Sequence, residues 1–194
     1  MRTYGKIIPD LIIDGVPAPY GVVNEREIRA TAGIMLVLGL SAFYSVVYDK
    51  NVEFAFWVVL AFWIDFVLKV VIDQEWSYIG RIGAWIVRRQ KPEYVGAIQK
   101  RFAWSVGLIL SSIVLVLIAR INFFSGATCS ATVLSPCFVP MILCGICLFF
   151  MWLESAGGIC VGCQIYSWLL KKGWIQEPIY RPACPGGVCS LEKH

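Results

Sequence analysis

The sequence predicts an all-α integral membrane protein with four transmembrane helices and an amphipathic interfacial helix between spans two and three. Three observations carry this. Hydrophobic residues make up 58% of the 194-residue chain and charged residues only 15%; the mean hydropathy is +0.70; and apolar runs reach bilayer length four times, over about 30–48, 52–72, 103–124 and 139–158. A helix rising about 1.5 Å per residue needs about 20 residues to cross about 30 Å of hydrocarbon. No stretch is expected to remain for a separate soluble domain, and the first 23 residues, with Asp10, Asp14 and three prolines interrupting any apolar run, do not read as a signal peptide.

Residues 1–23 read as an irregular cytoplasmic leader. Asn24, with Glu27 three positions on, offers a capping box for the first helix. Gly33, Gly39, Ser41 and Ala42 in span one are small residues of the kind that let helices approach closely. The short turn Asp49 to Asn51 makes spans one and two antiparallel neighbours. Span two is aromatic and carries Asp65 with Lys69 one turn later, so opposite charges share a face and the Lys69 ammonium can extend toward headgroups. Between Trp76 and Gln90, Tyr78, Ile79, Ile82, Trp85 and Ile86 recur at helical spacing opposite Arg81 and Arg88, the pattern of a helix lying on the membrane surface. Lys100 and Arg101 mark the start of span three. The fourth span carries Glu154 and is expected to continue helically to 172, with Gly157-Gly158 as a point of bending, before a cysteine-containing cytoplasmic tail over 173–194.

Lys and Arg cluster ahead of span one (Arg2, Lys6, Arg26 and Arg29), between spans two and three and in the tail, while the other two connections hold Lys50 and Arg120 alone. Because cytoplasmic loops carry the positive excess, the expectation is a multi-pass protein of the cell inner membrane with both termini cytoplasmic. The formal charge of +4 then reflects the lipid bilayer as partner and calls for no nucleic acid.

Charged and sulfur-bearing residues supply the candidate chemistry. An acid inside a membrane is costly unless paired, neutral or hydrated, so Asp65, Lys69 and Glu154 are read either as one structural cluster or as a proton or ligand site. Eight cysteines are present. Cys129 and Cys137 lie on the outer side, where a disulfide is plausible by compartment; Cys144 and Cys147 fit packing inside span four. Cys160 and Cys163 are the expected functional pair, because a Cys-x-x-Cys brings two sulfurs within reach of one bond and can favour the first as thiolate. Cys184 and Cys189 are close enough in sequence to fold back onto them. The full spacing, Cys-x2-Cys-x20-Cys-x4-Cys, allows a dithiol relay or a tetrathiolate zinc or iron site. Other cofactors cannot be read from the chain; its single histidine is His194, which disfavours histidine-ligated haem in the membrane.

Val-Asn-Glu-Arg-Glu before span one, Asp65 in span two, Lys100-Arg101-Phe102-Ala103 opening span three, and Glu154 followed by Gly158-Ile-Cys160-Val-Gly-Cys163-Gln-Ile-Tyr166 together resemble the prokaryotic membrane family catalogued as domain of unknown function 4395. The resemblance covers about 23–173. It implies a small helical inner-membrane protein with a Cys-x-Gly-Cys near the end of its last span, supplies no reaction, and leaves Cys184 and Cys189 outside its pattern.

Three functions compete. The first is thiol redox or sulfur transfer at the membrane, working with a thioredoxin-like or sulfur-carrier protein. The second is a non-catalytic accessory or anchor subunit working with other membrane subunits, which the aliphatic third span and the absence of a nucleophile, base and orienter set favour. A channel or transporter using Asp65 and Glu154 is the third, weakened by the lack of an internal repeat.

Overall fold

The computed structural model describes residues 4–13, 16–125 and 137–175. Among the described residues four helices are long and apolar enough to cross a membrane. Helix α1 (Glu25–Tyr44) runs on through a π turn, Ser45–Asp49, and α2 (Val52–Val67) through another, Leu68–Ile72. Between the second and third spanning helices lies the short α3 (Tyr78–Val87). Helix α4 is Ala97–Arg120, followed by the π turn Ile121–Ser125, and α5 is Phe138–Gly157. The polypeptide is an all-α membrane protein with an amphipathic helix between spans two and three.

Side-chain contacts fix the antiparallel order. Gly33 and Gly39 of α1 face Ser155 and Leu148 of α5. Phe66 of α2 lies over Gly107 of α4, and Trp63 Nε1 donates to Ser112 Oγ at 2.8 Å. One end of the bundle therefore gathers the start of α1, the end of α2, the start of α4 and the end of α5. Ile28, Met35, Val58, Phe62 and Trp104 are part of the buried core. Large apolar side chains such as Leu40, Ile109, Val116, Phe149 and Trp152 are exposed on the outer faces, which suits a lipid surround.

Part of the leader is ordered rather than irregular. Strands β1 (Ile12–Ile13) and β2 (Val16–Pro17) pair with each other, and β3 (Val22–Asn24) pairs antiparallel with β4 (Tyr94–Gly96). Glu25 N–H donates to Glu93 O at 2.7 Å and Ala97 N–H to Gly21 O at 2.9 Å, so the ladder runs directly into α1 and α4 and sets their first turns side by side. Lys6 bridges to Val22, and the Tyr4 hydroxyl donates to Lys69 O, tying the leader to the end of the second span. The anticipated cap is present: Asn24 Oδ1 accepts from Arg26 N–H at 3.2 Å while Asn24 Nδ2 donates to Glu27 Oε1 at 3.0 Å.

Two further expectations need adjustment. Ile79 does not share the outward face of α3: it is buried against the bundle with Gly80, Gly83 and Val87, while Ile82, Trp85 and Ile86 are exposed. Gly83 makes that docking possible, since a Cβ there would lie 2.5 Å from Thr31 Oγ1 of α1. The fourth span also does not continue unbroken to 172. Gly158 adopts a left-handed conformation, φ 64°, and closes α5; a separate helix, α6 (Val161–Lys171), then starts and packs on α4.

Candidate functional site

Two ion clusters and a cysteine hairpin occupy the gathered end of the bundle. In the first cluster Asp65 is fully buried. Its Oδ2 lies 2.6 Å from Lys69 Nζ, and its Oδ1 accepts from Ser77 Oγ at 2.7 Å and Ile79 N–H at 3.1 Å. Asp65 thus sits at the N-terminus of α3, where free N–H groups favour negative charge. Lys69 does not reach toward headgroups. Its ammonium is held between Asp65 and the Phe66 and Trp104 rings, 5.7 and 5.8 Å from their centroids, and the residue is 2% exposed. With its carboxylate paired and hydrogen-bonded, this cluster anchors α3 to α2.

The second cluster contains Glu154 but neither Asp65 nor Lys69. Lys100 Nζ lies 2.7 Å from Glu25 Oε2 and 2.6 Å from Glu154 Oε1, and Glu25 and Lys100 are each 2% exposed. Arg29, one turn along α1 from Glu25, donates to Ala156 O at 3.3 Å at the end of α5. The acids expected to share one site therefore belong to two, because the β3–β4 ladder brings Glu25 and Lys100 together and Lys100 captures Glu154. Sequence reasoning missed Glu25 as a partner and took Lys100 for a boundary charge. The available signal was the pairing potential of 22–24 with 94–96 ahead of two helices.

The cysteine hairpin follows from the break at Gly158. Released from the α5 ladder, Cys160 takes an extended conformation, φ −88° and ψ 98°, and becomes the N-cap of α6, its Sγ accepting from Cys163 N–H at 3.3 Å. The two sulfurs are adjacent and the Cα atoms 5.2 Å apart. Cys160 is half-buried and Cys163 is 6% exposed. Gly162 lets α6 meet α4, as a Cβ there would lie 2.6 Å from Ala103 Cα. Tyr166 packs on Phe102 with ring centroids 5.5 Å apart, and burial pushes its phenol up from the ordinary value. Burial does the same to Tyr4.

A cavity of about 220 Å³ runs inside the bundle. Its wall includes Lys69, Gln74, Lys100, Glu154 and Cys160, and also Cys144 and Cys147, which are free half-buried thiols on α5. Cys137, buried at the start of α5, belongs to the same wall, but its proposed partner Cys129 lies outside the described residues. Cys184 and Cys189 also lie outside them. Among the described residues no three His, Cys, Asp or Glu side chains are grouped to hold a metal ion, so the tetrathiolate reading rests wholly on the tail.

The model of the family described as domain of unknown function (DUF4395) matches residues 23–171. The chain belongs to this family. The DUF4395 match takes in both ion clusters and the Cys160–Cys163 hairpin, and stops before Cys184 and Cys189. No curated protein and no solved structure matches the chain.

Proposed function

We propose that this chain is an inner-membrane thiol–disulfide exchange protein whose working pair is Cys160 and Cys163. The observation that carries the reading is the position of the pair at the start of α6: Cys160 caps the helix and is half-buried, while Cys163, one turn on, is buried behind it. Helix N-terminal N–H groups favour a thiolate, and an accessible first sulfur backed by a protected second one suits a two-step exchange. The Cys160 thiolate attacks a disulfide of a thioredoxin-like partner, forming a mixed disulfide and releasing one partner thiolate. Cys163 then attacks the Cys160 sulfur, so the hairpin S–S bond forms and the second partner thiolate leaves with the electron pair. A persulfide donor would follow the first step only, passing its outer sulfur to Cys160 and leaving as a thiol. The Lys and Arg distribution supports four passes with both termini, and this hairpin, on the cytoplasmic side.

Cys163→Ser tests the reading, since it stops the second step. It should accumulate a mixed disulfide or, with a sulfur donor, a Cys160 carrying the mass of one added sulfur, and Cys160→Ser should give neither. Equal, adduct-free behaviour of both variants, with no redox phenotype, would falsify the proposal.

One observation favours the accessory-subunit reading. Of the four spanning helices α5 is covered least by this chain, and Val139, Ile142, Ile146, Phe149 and Trp152 form an exposed stripe along it that a partner helix would cover in place of lipid. Blue-native electrophoresis in mild detergent decides it: migration at the mass of the chain alone counts against a partner.

A further inference from the structure

The interior cavity has one polar end and a long apolar body. Its α5 wall extends from Pro140 to Glu154, about 20 Å of helix. Met35, Val58, Phe62, Leu110 and Val114 line it between those levels, which suits a single apolar tail. At the other end Lys69, Gln74, Lys100, Glu154 and Cys160 share the wall.

Charge decides what kind of head fits there. Both lysines on the wall are committed, Lys69 to Asp65 at 2.6 Å and Lys100 to Glu25 and Glu154 at 2.7 and 2.6 Å. Lys100 already faces two carboxylates, so a phosphate or fatty-acid head would enter a site with no ammonium to spare and would meet like charge. A neutral head avoids that cost. Volume argues the same way: about 220 Å³ falls below the roughly 300–1,000 Å³ of drug-sized pockets, room for one ring and the first part of one tail but not for a two-chain phospholipid. Gln74 adds a specific demand. It is 9% exposed and lines this cavity, and its Oε1 finds no donor among the described residues; a buried acceptor of this kind calls for an O–H or N–H from a ligand. The final element is Cys160, a sulfur on the same wall whose pairing with Cys163 exchanges two electrons.

Resting on the exchange reading, run in the direction in which a partner dithiol attacks the Cys160 sulfur, closes its own disulfide and leaves both hairpin sulfurs reduced, we infer that this cavity binds a membrane quinone as the electron acceptor for the Cys160–Cys163 dithiol. The head is neutral, the tail apolar, and the reduced ring presents the O–H that Gln74 Oε1 lacks. The step balances: two S–H bonds break, the Cys160–Cys163 bond forms, and two electrons and two protons pass to the ring oxygens, giving the hydroquinone.

A decyl-tailed benzoquinone added to the purified full chain in quinone-free nanodiscs tests this. Binding is read by tryptophan fluorescence quenching, with Trp104 on the cavity wall, first in the Cys160→Ser/Cys163→Ser variant so that it does not depend on thiol chemistry. Saturable quenching is expected for the quinone and for its hydroquinone, and Gln74→Leu should weaken binding of the hydroquinone about five-fold by loss of one hydrogen bond, with circular dichroism confirming the fold. Reduced wild-type protein should form one hydroquinone for each pair of thiols lost. Absence of saturable quenching overturns the inference, as does saturable binding without thiol-dependent hydroquinone. A partner trapped by Cys163→Ser while quinone neither binds nor is reduced overturns this inference alone; absence of a trapped adduct strikes the exchange reading instead.

Discussion

Glu25 and Lys100 are separated by 75 positions in the chain, yet their side chains meet 2.7 Å apart in the buried end of the bundle. The β3–β4 ladder makes this contact, because each strand leads straight into the helix that carries one of the partners. Lys100 also holds Glu154 at 2.6 Å, so a single ammonium joins α1, α4 and α5.

Removing that ammonium should therefore be costly. Lys100→Met leaves two carboxylates facing each other without compensation, and breaking a buried ion pair from one side costs about 3–5 kcal/mol. A large fall in the midpoint of thermal unfolding in detergent is expected. Adding Glu25→Gln and Glu154→Gln to Lys100→Met should recover much of it by removing the stranded charges. An unchanged midpoint in the single variant would show that the triad is not holding the three helices.

Asp65 should behave as an anchor rather than as a transport residue. Asp65→Ala frees Ser77 Oγ and Ile79 N–H, which it accepts from at 2.7 and 3.1 Å, and strands Lys69. Hydrogen exchange should rise selectively across Tyr78–Val87, the helix that Asp65 caps. Asp65→Ala with Lys69→Met should be less destabilised than Asp65→Ala alone, because no unpaired charge remains buried. Uniform exchange across all helices would contradict an anchoring role.

The four spans were legible because the bilayer demands long apolar runs, and such runs survive in the sequence whatever their neighbours. The Asn24 cap was legible for a similar reason: its partners, Arg26 and Glu27, are local. What escaped depended on distant pairing. Lys100 sits among basic residues at the start of a span and reads as a headgroup charge; only its contacts with Glu25 and Glu154, 75 and 54 positions away, bury it. Lys69 likewise reads as a snorkelling lysine until the Trp104 ring closes over it. The cysteine hairpin was half legible. Gly157-Gly158 signalled a bend, but the left-handed Gly158 that turns Cys160 into a helix cap is a backbone fact.

Tyr78 offers a pH test. Its hydroxyl donates to Ala61 O, and burial, with the charge of Asp65 behind it, pushes its phenol up to about 12. The folded protein therefore keeps a proton that the unfolded chain gives up near the ordinary tyrosine value of about 10. The stabilisation is present below pH ~10 and is lost as pH rises toward 12. Tyr78→Phe should flatten the alkaline fall in stability over that window, with Tyr4 and Tyr166 supplying what slope remains. An identical profile in wild type and variant would mean that Tyr78 ionises freely.

Gly162 controls how well the second sulfur is hidden. A Cβ at this position would lie 2.5 Å from Ala103 Cβ and 2.6 Å from Ala103 Cα, and the latter is α4 backbone that cannot swing aside. Gly162→Ala must therefore push the first turn of α6 away from α4, and that turn carries Cys163, now 6% exposed. Cys160, already half-buried at the cap, has less protection to lose. In the reduced protein, maleimide should modify Cys163 about tenfold faster in Gly162→Ala than in wild type, since thiol reactivity follows access, while the rate at Cys160 changes little. Peptide mass mapping separates the two sites. Parallel acceleration at both would point to unfolding of α6 as a whole, and no acceleration at Cys163 would show that α6 is not held by this contact.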